Sequence, residues 1–137
     1  MKRVVLISCV SRKLPYRARA QDLYISPLFR LNLQYARSLK PTDIFILSAK
    51  YGLVDLEQEI EPYDQTLNTM GVSEIMTWAR GVIEQLNLRI DLAEDEVIFL
   101  AGEKYRAYLL PYISHYQIPL ARMTIGKQLQ YLKSVLP

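Results

Sequence analysis

An α/β fold, with a mainly parallel sheet covered by helices on both sides, is what this chain of 137 residues predicts. Three observations lead there. The runs RVVLIS (3–8), DIFILSA (43–49) and EVIFLAG (96–102) are continuously apolar and rich in β-branched and aromatic residues, the pattern of strands buried on both faces. The stretches between them carry helix start signals and apolar stripes. Strands that alternate with helical crossovers pair in parallel, and right-handed crossovers leave few topologies.

Taken in order, the first strand runs out into the irregular stretch CVSRKLPYRARAQDLYI (9–25). Ser26 then stands as an N-cap with Pro27 at the first helical position, and Phe29, Leu33 and Ala36 repeat on one face until Lys40 and Pro41 end the helix. After the second strand comes a second irregular stretch, 51–70, and long loops in compact domains are usually functional or mobile. Ser73 is expected to cap a helix through about Leu88, with Ile75, Trp78, Ala79, Val82, Ile83 and Leu86 as its buried stripe and Gly81 weakening its interior. Beyond the third strand, EKYRAYLLPYISHY (103–116) reads as a helix interrupted at Pro111, IPLARM (118–123) as a short fourth strand, and IGKQLQYLKSVL (125–136) as a closing helix. No repeat, low-complexity tract or linker interrupts this order, so residues 1–137 are expected to form one α/β domain.

Composition excludes several classes. With one cysteine, Cys9, and one histidine, His115, neither an internal disulfide nor a Cys/His zinc cluster can form; no metal and no cofactor are expected. No run approaches the roughly 20 apolar residues of a membrane span, and VVLI is too short for a secretory signal, which points to a cytoplasmic protein. The net charge of +3 conceals a segregation: nine Lys/Arg against one acid in 1–40, three against twelve in 41–100, and five against one in 101–137. Such blocks make a basic face suited to phosphates, or else the acidic middle folds back on the basic start. Nothing in the sequence sets an oligomeric state.

In open parallel sheets ligands bind beyond the carboxyl ends of the strands. The first strand delivers Ser8 and Cys9 there, followed by Ser11, Arg12 and Lys13; the second delivers Ser48, Lys50, Tyr51 and Gly52; the third delivers Gly102 and Tyr105. These are small-residue exits, each followed by a cation; Gly52 and Gly102 permit sharp turns, and exposed amides at the following helix start favour an anion. A phosphate, nucleotide or nucleic-acid backbone fits. Cys9 is a nucleophile if Arg12 and Lys13 ionise it, or a packing residue if they do not. Asp64, in PYDQTL, can activate water or face a developing positive charge on a sugar; a turn or helix cap around Pro62 explains it equally well. Tyr24, Tyr51, Tyr63 and Tyr105 stand near the crevice, where a ring can stack on a base, whereas Tyr35, Tyr108, Tyr112 and Tyr131 sit at helical spacings that suit packing. His115 falls in the expected third helix as a surface or packing residue, Asp22 can hold Arg12 or Arg19, and Asp55, Glu57, Glu59 and Glu61 read as a solvated acidic strip.

The motifs SCVSRK, AQDLYISPLF, SAKYGL and PYDQTL, followed by FLAGEKY and IGKQLQYL, occur in order along nearly the whole chain. Together they resemble a family of small bacterial domains of unknown function whose pattern begins with a strand ending in S-C-S-x-x-K. Here the second serine of that motif is replaced by Val10, with Ser11 one place later. Those domains are similar in turn, more distantly, to the uracil-DNA-glycosylase-like fold, including a domain of archaeosine synthase and the peroxide-stress YaaA family. The resemblance implies a three-layer αβα sandwich with a four-stranded parallel sheet, and a nucleobase or nucleic-acid pocket at the strand ends. By position it carries over to Cys9 and Lys13, to Tyr24, Ser26 and Phe29, to Ser48, Lys50, Tyr51 and Gly52, and to Tyr63 and Asp64. The glycosylases' aspartate and histidine loop has no counterpart by motif.

The function expected is therefore an enzyme acting on a nucleobase, nucleotide or nucleic acid, by cleavage or exchange of an N-glycosidic bond. Asp64 and, as the lesser alternative, Cys9 are its catalytic candidates. The alternatives are a non-catalytic nucleic-acid or nucleotide binding module, and a scaffold whose acidic middle meets the basic segment of another copy.

Overall fold

The computed structural model describes all 137 residues. The three apolar runs become β1 (Arg3–Ser8), β3 (Asp43–Ser48) and β6 (Glu96–Leu100), with β1 between the other two and parallel to both. A two-residue ribbon, β2 (Ala18–Arg19) with β5 (Glu59–Ile60), lies outside the sheet, and α1 (Ala20–Leu23) is a single turn. The crossovers are α2 (Pro27–Ser38) and α3 (Val72–Asn87). Ser26 caps α2 as expected, its Oγ accepting from the Phe29 amide at 3.1 Å. Ser73 does not cap α3: the helix opens at Val72, one residue earlier, with Gly71 at the N-cap and no side-chain capping bond.

The sheet has five strands rather than four. Beyond Ser48 the chain turns back at once into β4 (Gly52–Asp55), which pairs antiparallel with β3 and forms one edge. Gly52 makes that reversal, at φ 74°, where side chains are strained. The other edge is β7 (His115–Gln117), parallel to β6, so the order is β4-β3-β1-β6-β7. The expected helix over 103–116 is only one turn, α4 (Glu103–Arg106), and a 3₁₀ turn at Leu110–Tyr112, where Pro111 lacks the amide a helix needs. His115 accordingly opens an exposed edge strand instead of ending a helix. An edge strand needs no apolar run, and so IPLARM, expected as a strand, follows it as turns, with Arg122 in the left-handed region at φ 65°. The closing helix is α5 (Ile125–Val135).

Alternation along β1 separates two cores. Val5 and Ile7 face Phe29, Leu33 and Ala36 of α2 and Leu132 of α5; Val4 and Leu6 face Ala79, Val82, Ile83 and Leu86 of α3, with Leu109 and Ile113. Each fully buried side chain of this kind contributes roughly 1.5–3 kcal/mol of transfer free energy. Helices thus cover both faces, and the carboxyl ends of β1, β3 and β6 open at the same end of the sheet.

Candidate functional site at the strand ends

Ser48, the last residue of β3, organises this end. Its buried Oγ accepts the amides of Lys50 at 3.2 Å and Tyr51 at 3.0 Å, and donates to the Tyr63 hydroxyl at 2.8 Å. Tyr63 Oη lies 2.6 Å from Tyr24 Oη, so three hydroxyls form one chain beneath the surface. Burial pushes both tyrosine hydroxyls up, and each stays a neutral donor. The amides of this turn are therefore occupied by Ser48.

Cys9 continues the ladder one residue past β1, its amide donating to Leu47 O at 3.0 Å. Its buried thiol meets Tyr105 Oη at 3.4 Å. Tyr105 in turn packs edge-on against Trp78, whose Nε1 donates to Ser48 O at 2.9 Å. A backbone bridge to Tyr24 fixes Lys13 and sets its Nζ 4.4 Å from the Tyr63 ring centroid. Burial lowers the pKa of Lys13, while the charges of Cys9 and Asp64 act in the opposite direction. The ammonium, the thiol and the carboxylate thus share one field.

They share a cavity as well. A hollow of about 440 Å³ is lined by Cys9, Ser11, Lys13, Tyr63, Asp64 and Tyr105 among others. A second, of about 650 Å³, includes Ser8, Cys9, Gly102 and Tyr105 in its wall. Cys9, Val10, Asn68, Tyr105 and Ile125 belong to both, and the contact of Cys9 with Tyr105 stands in the partition between them. The remaining expected residues stand elsewhere: Tyr24 and Ser48 are wholly buried below the site, and Arg12 is exposed outside both hollows. Lys50 lies over the Tyr51 ring at 5.3 Å, and Tyr51 packs on Tyr63 with centroids 5.7 Å apart. Gly52 belongs to the hairpin, because a Cβ there would collide with the Gln85 side chain. The second strand's exit supports the site from behind and does not line it.

The charge blocks meet in part. Across the β2–β5 ribbon Arg17 pairs with Glu61 at 3.5 Å and Arg19 with Glu57 at 3.1 Å, and Arg19 also pairs with Asp22, three residues on, at 3.1 Å. Asp55 is held by Arg89 at 3.0 Å. The acidic strip therefore pairs with Arg17 and Arg19 of the first segment and leaves Arg12 and Lys13 without ion pairs. No three His, Cys, Asp or Glu side chains converge on a metal position, and no helix is long and apolar enough to cross a membrane.

Residues 4–134 match a family of unknown function, DUF6884. This chain belongs to that family. The DUF6884 chain is also 32% identical over 124 residues to the uncharacterized protein YfjM of Bacillus subtilis strain 168, a match covering 85% of this chain and 81% of that one. No solved structure matches it.

Several lining residues of this DUF6884 protein carry no motif: Asn32, Asn68 and Arg122. One had a signal in the sequence. Asn32 falls at i+3 in the stripe Phe29, Leu33, Ala36, a polar residue on the buried face of an otherwise apolar helix.

Proposed function

We propose that the strand-end site binds a nucleobase, nucleotide or nucleic acid and cleaves or exchanges its N-glycosidic bond. The observation that carries this reading is the single cavity in which Lys13 and Asp64 stand beside Cys9. Asp64 is exposed and makes no ion pair, so its carboxylate is available to water or to a sugar. In hydrolysis the water oxygen bonds to the anomeric carbon, and the carbon–nitrogen bond pair leaves with the base. The proton lost by the water passes through Asp64 to the departing base, and the carboxylate opposes the positive charge that develops on the sugar. Lys13 offers a phosphate its charge, and Arg12 extends that charge outward. Cys9, turned toward Tyr105, forms the wall. The distant similarity of the family that shares these motifs to uracil-DNA-glycosylase-like domains supports the same substrate class, as does a mostly parallel sheet with its cavity at the carboxyl ends.

The test is base release, followed by chromatography, from uracil-containing DNA, tRNA, nucleosides and nucleoside monophosphates. Asp64→Asn is expected to slow release about 100-fold or more with an unchanged melting midpoint. Salt-sensitive retention of DNA or RNA with no release would replace the enzyme by a binding module, in which Arg12 and Lys13 hold phosphates. Neither release nor binding would end both readings.

A further inference from the structure

The larger hollow is unlike its neighbour. Phe99 and Leu100 at the end of β6, Leu28 of α2, and Leu120 and Met123 from the turns after β7 give it apolar walls. Its cations are Lys104, Arg106 and Arg122 against the single acid Glu103. Arg106 is occupied, since Nη1 donates to Ala101 O at 2.7 Å, whereas Lys104 and Arg122 make no ion pair. Arg122 also holds a left-handed backbone conformation that is unusual for a residue with a side chain. One turn of α2 beyond Leu28, Asn32 reaches the same hollow; it is 6% exposed, and its Oδ1 has no hydrogen-bond partner. A buried, unpaired carbonyl oxygen lowers stability, and a leucine would continue the stripe of α2 without that penalty.

We infer that this hollow is the base compartment of the site: the Asn32 amide reads the edge of a heterocycle, and Arg122 and Lys104 meet a phosphate at the rim. The inference rests on the reading that the ligand carries a nucleobase, and it names where the base sits. A carboxamide presents one acceptor and a donor group side by side, the complement of a base edge with adjacent N–H and C=O. The apolar walls suit the faces of a flat ring. Because the contact of Cys9 with Tyr105 stands in the partition, a base on the Asn32 side places its glycosidic bond at the boundary, with Asp64 in the adjoining hollow.

Calorimetric titration tests this with uracil, cytosine, adenine and guanine, and with their 5′-monophosphates. At least one free base is expected to bind the wild-type chain. Asn32→Leu is expected to weaken that base by about tenfold or more, the worth of a lost edge contact, while the melting midpoint stays level or rises. Arg122→Ala should weaken the monophosphate and not the free base, and Arg17→Ala should change neither. If Asn32→Leu does not fold, Asn32→Asp, which keeps the shape and loses the donor, carries the same expectation. No base bound at millimolar concentration overturns the inference. So does an Asn32 variant that binds the base as the wild type does, since the amide is then merely hydrated. Base binding that depends on Asn32 without base release keeps the compartment and ends the glycosidic reading; release that ignores Asn32 does the reverse.

Discussion

The two ends of the sheet use polar groups in opposite ways. At the amino ends of the strands, charges staple the backbone: Asp95 accepts the amides of Lys2 at 2.6 Å and Asp91 at 2.7 Å, and Lys2 Nζ donates to Arg89 O at 2.8 Å. Arg89 grips both oxygens of Asp55 and covers the Phe45 ring at 4.7 Å. A hollow of about 580 Å³ at this end is lined by the charged residues Arg37, Lys40, Asp43, Asp55 and Glu57 together with Ile44 and Leu56, and Arg37 already donates to Gln21. At the carboxyl ends the groups beneath the two hollows are uncharged and mostly buried, and they brace those hollows. Ser48, Tyr63 and Tyr24 bond one another, Cys9 meets Tyr105, and Asn32 Oδ1 is unpaired. One end is closed by ion pairs and backbone clamps, and the other is built to stay open.

Deleting one hydroxyl from the braced end should show the largest stability effect. Tyr63→Phe leaves Ser48 without its acceptor and Tyr24 without its partner, both in sites that exclude water. A loss of about 1–3 kcal/mol in urea unfolding is expected. Tyr24→Phe should cost less, roughly 0.5–1.5 kcal/mol, because Tyr63 keeps Ser48. Equal costs would mean that the hydroxyl chain does not act through Tyr63.

The hairpin behind the site comes next. Gly52→Ala forces a Cβ into the left-handed region and against Gln85, whose Oε1 accepts the Leu53 amide at 2.9 Å. About 1–2 kcal/mol is expected from the backbone strain alone. Base binding should be untouched, because Gly52 lines neither hollow. A binding loss without a stability loss would return Gly52 to the site.

How far the sequence foretold this arrangement depended on whether a residue's neighbours are local. β1, β3 and β6 are buried on both faces and announce themselves as apolar runs, and the Ser26-Pro27 start of α2 is a local signal. β7 is exposed at all three residues and β4 follows a tight turn, so neither shows the pattern of a central strand. The strand-end rule brought Cys9, Lys13, Asp64 and Tyr105 into one place. Lys50, Tyr51 and Gly52 stand outside the walls of both hollows, because whether an exit faces a cavity or turns away is decided by the hydrogen bonds of the turn, here those made by Ser48. Arg122 was illegible for another reason: its place depends on turns that follow an edge strand with no apolar signature.

The smallest effect belongs to the closed end, and pH sharpens it. The two backbone amides hold the Asp95 carboxyl below its ordinary range, with the amino-terminal charge and Lys2 adding to that and desolvation opposing it. A carboxyl whose folded pKa is depressed adds stability above its unfolded value, near about 4, and loses it as pH falls through the folded value. Asp95→Asn retains one acceptor oxygen for two amides, so its melting midpoint should lie below that of the wild type at neutral pH. As pH falls below about 4 and on through the depressed folded value the wild-type carboxyl loses this advantage, and the gap should close. Tyr63→Phe should show no such convergence, because the groups it disturbs are neutral throughout that range. A gap for Asp95→Asn that persists unchanged into acid would mean that shape, and not the charge on the clamp, joins β1 to β6.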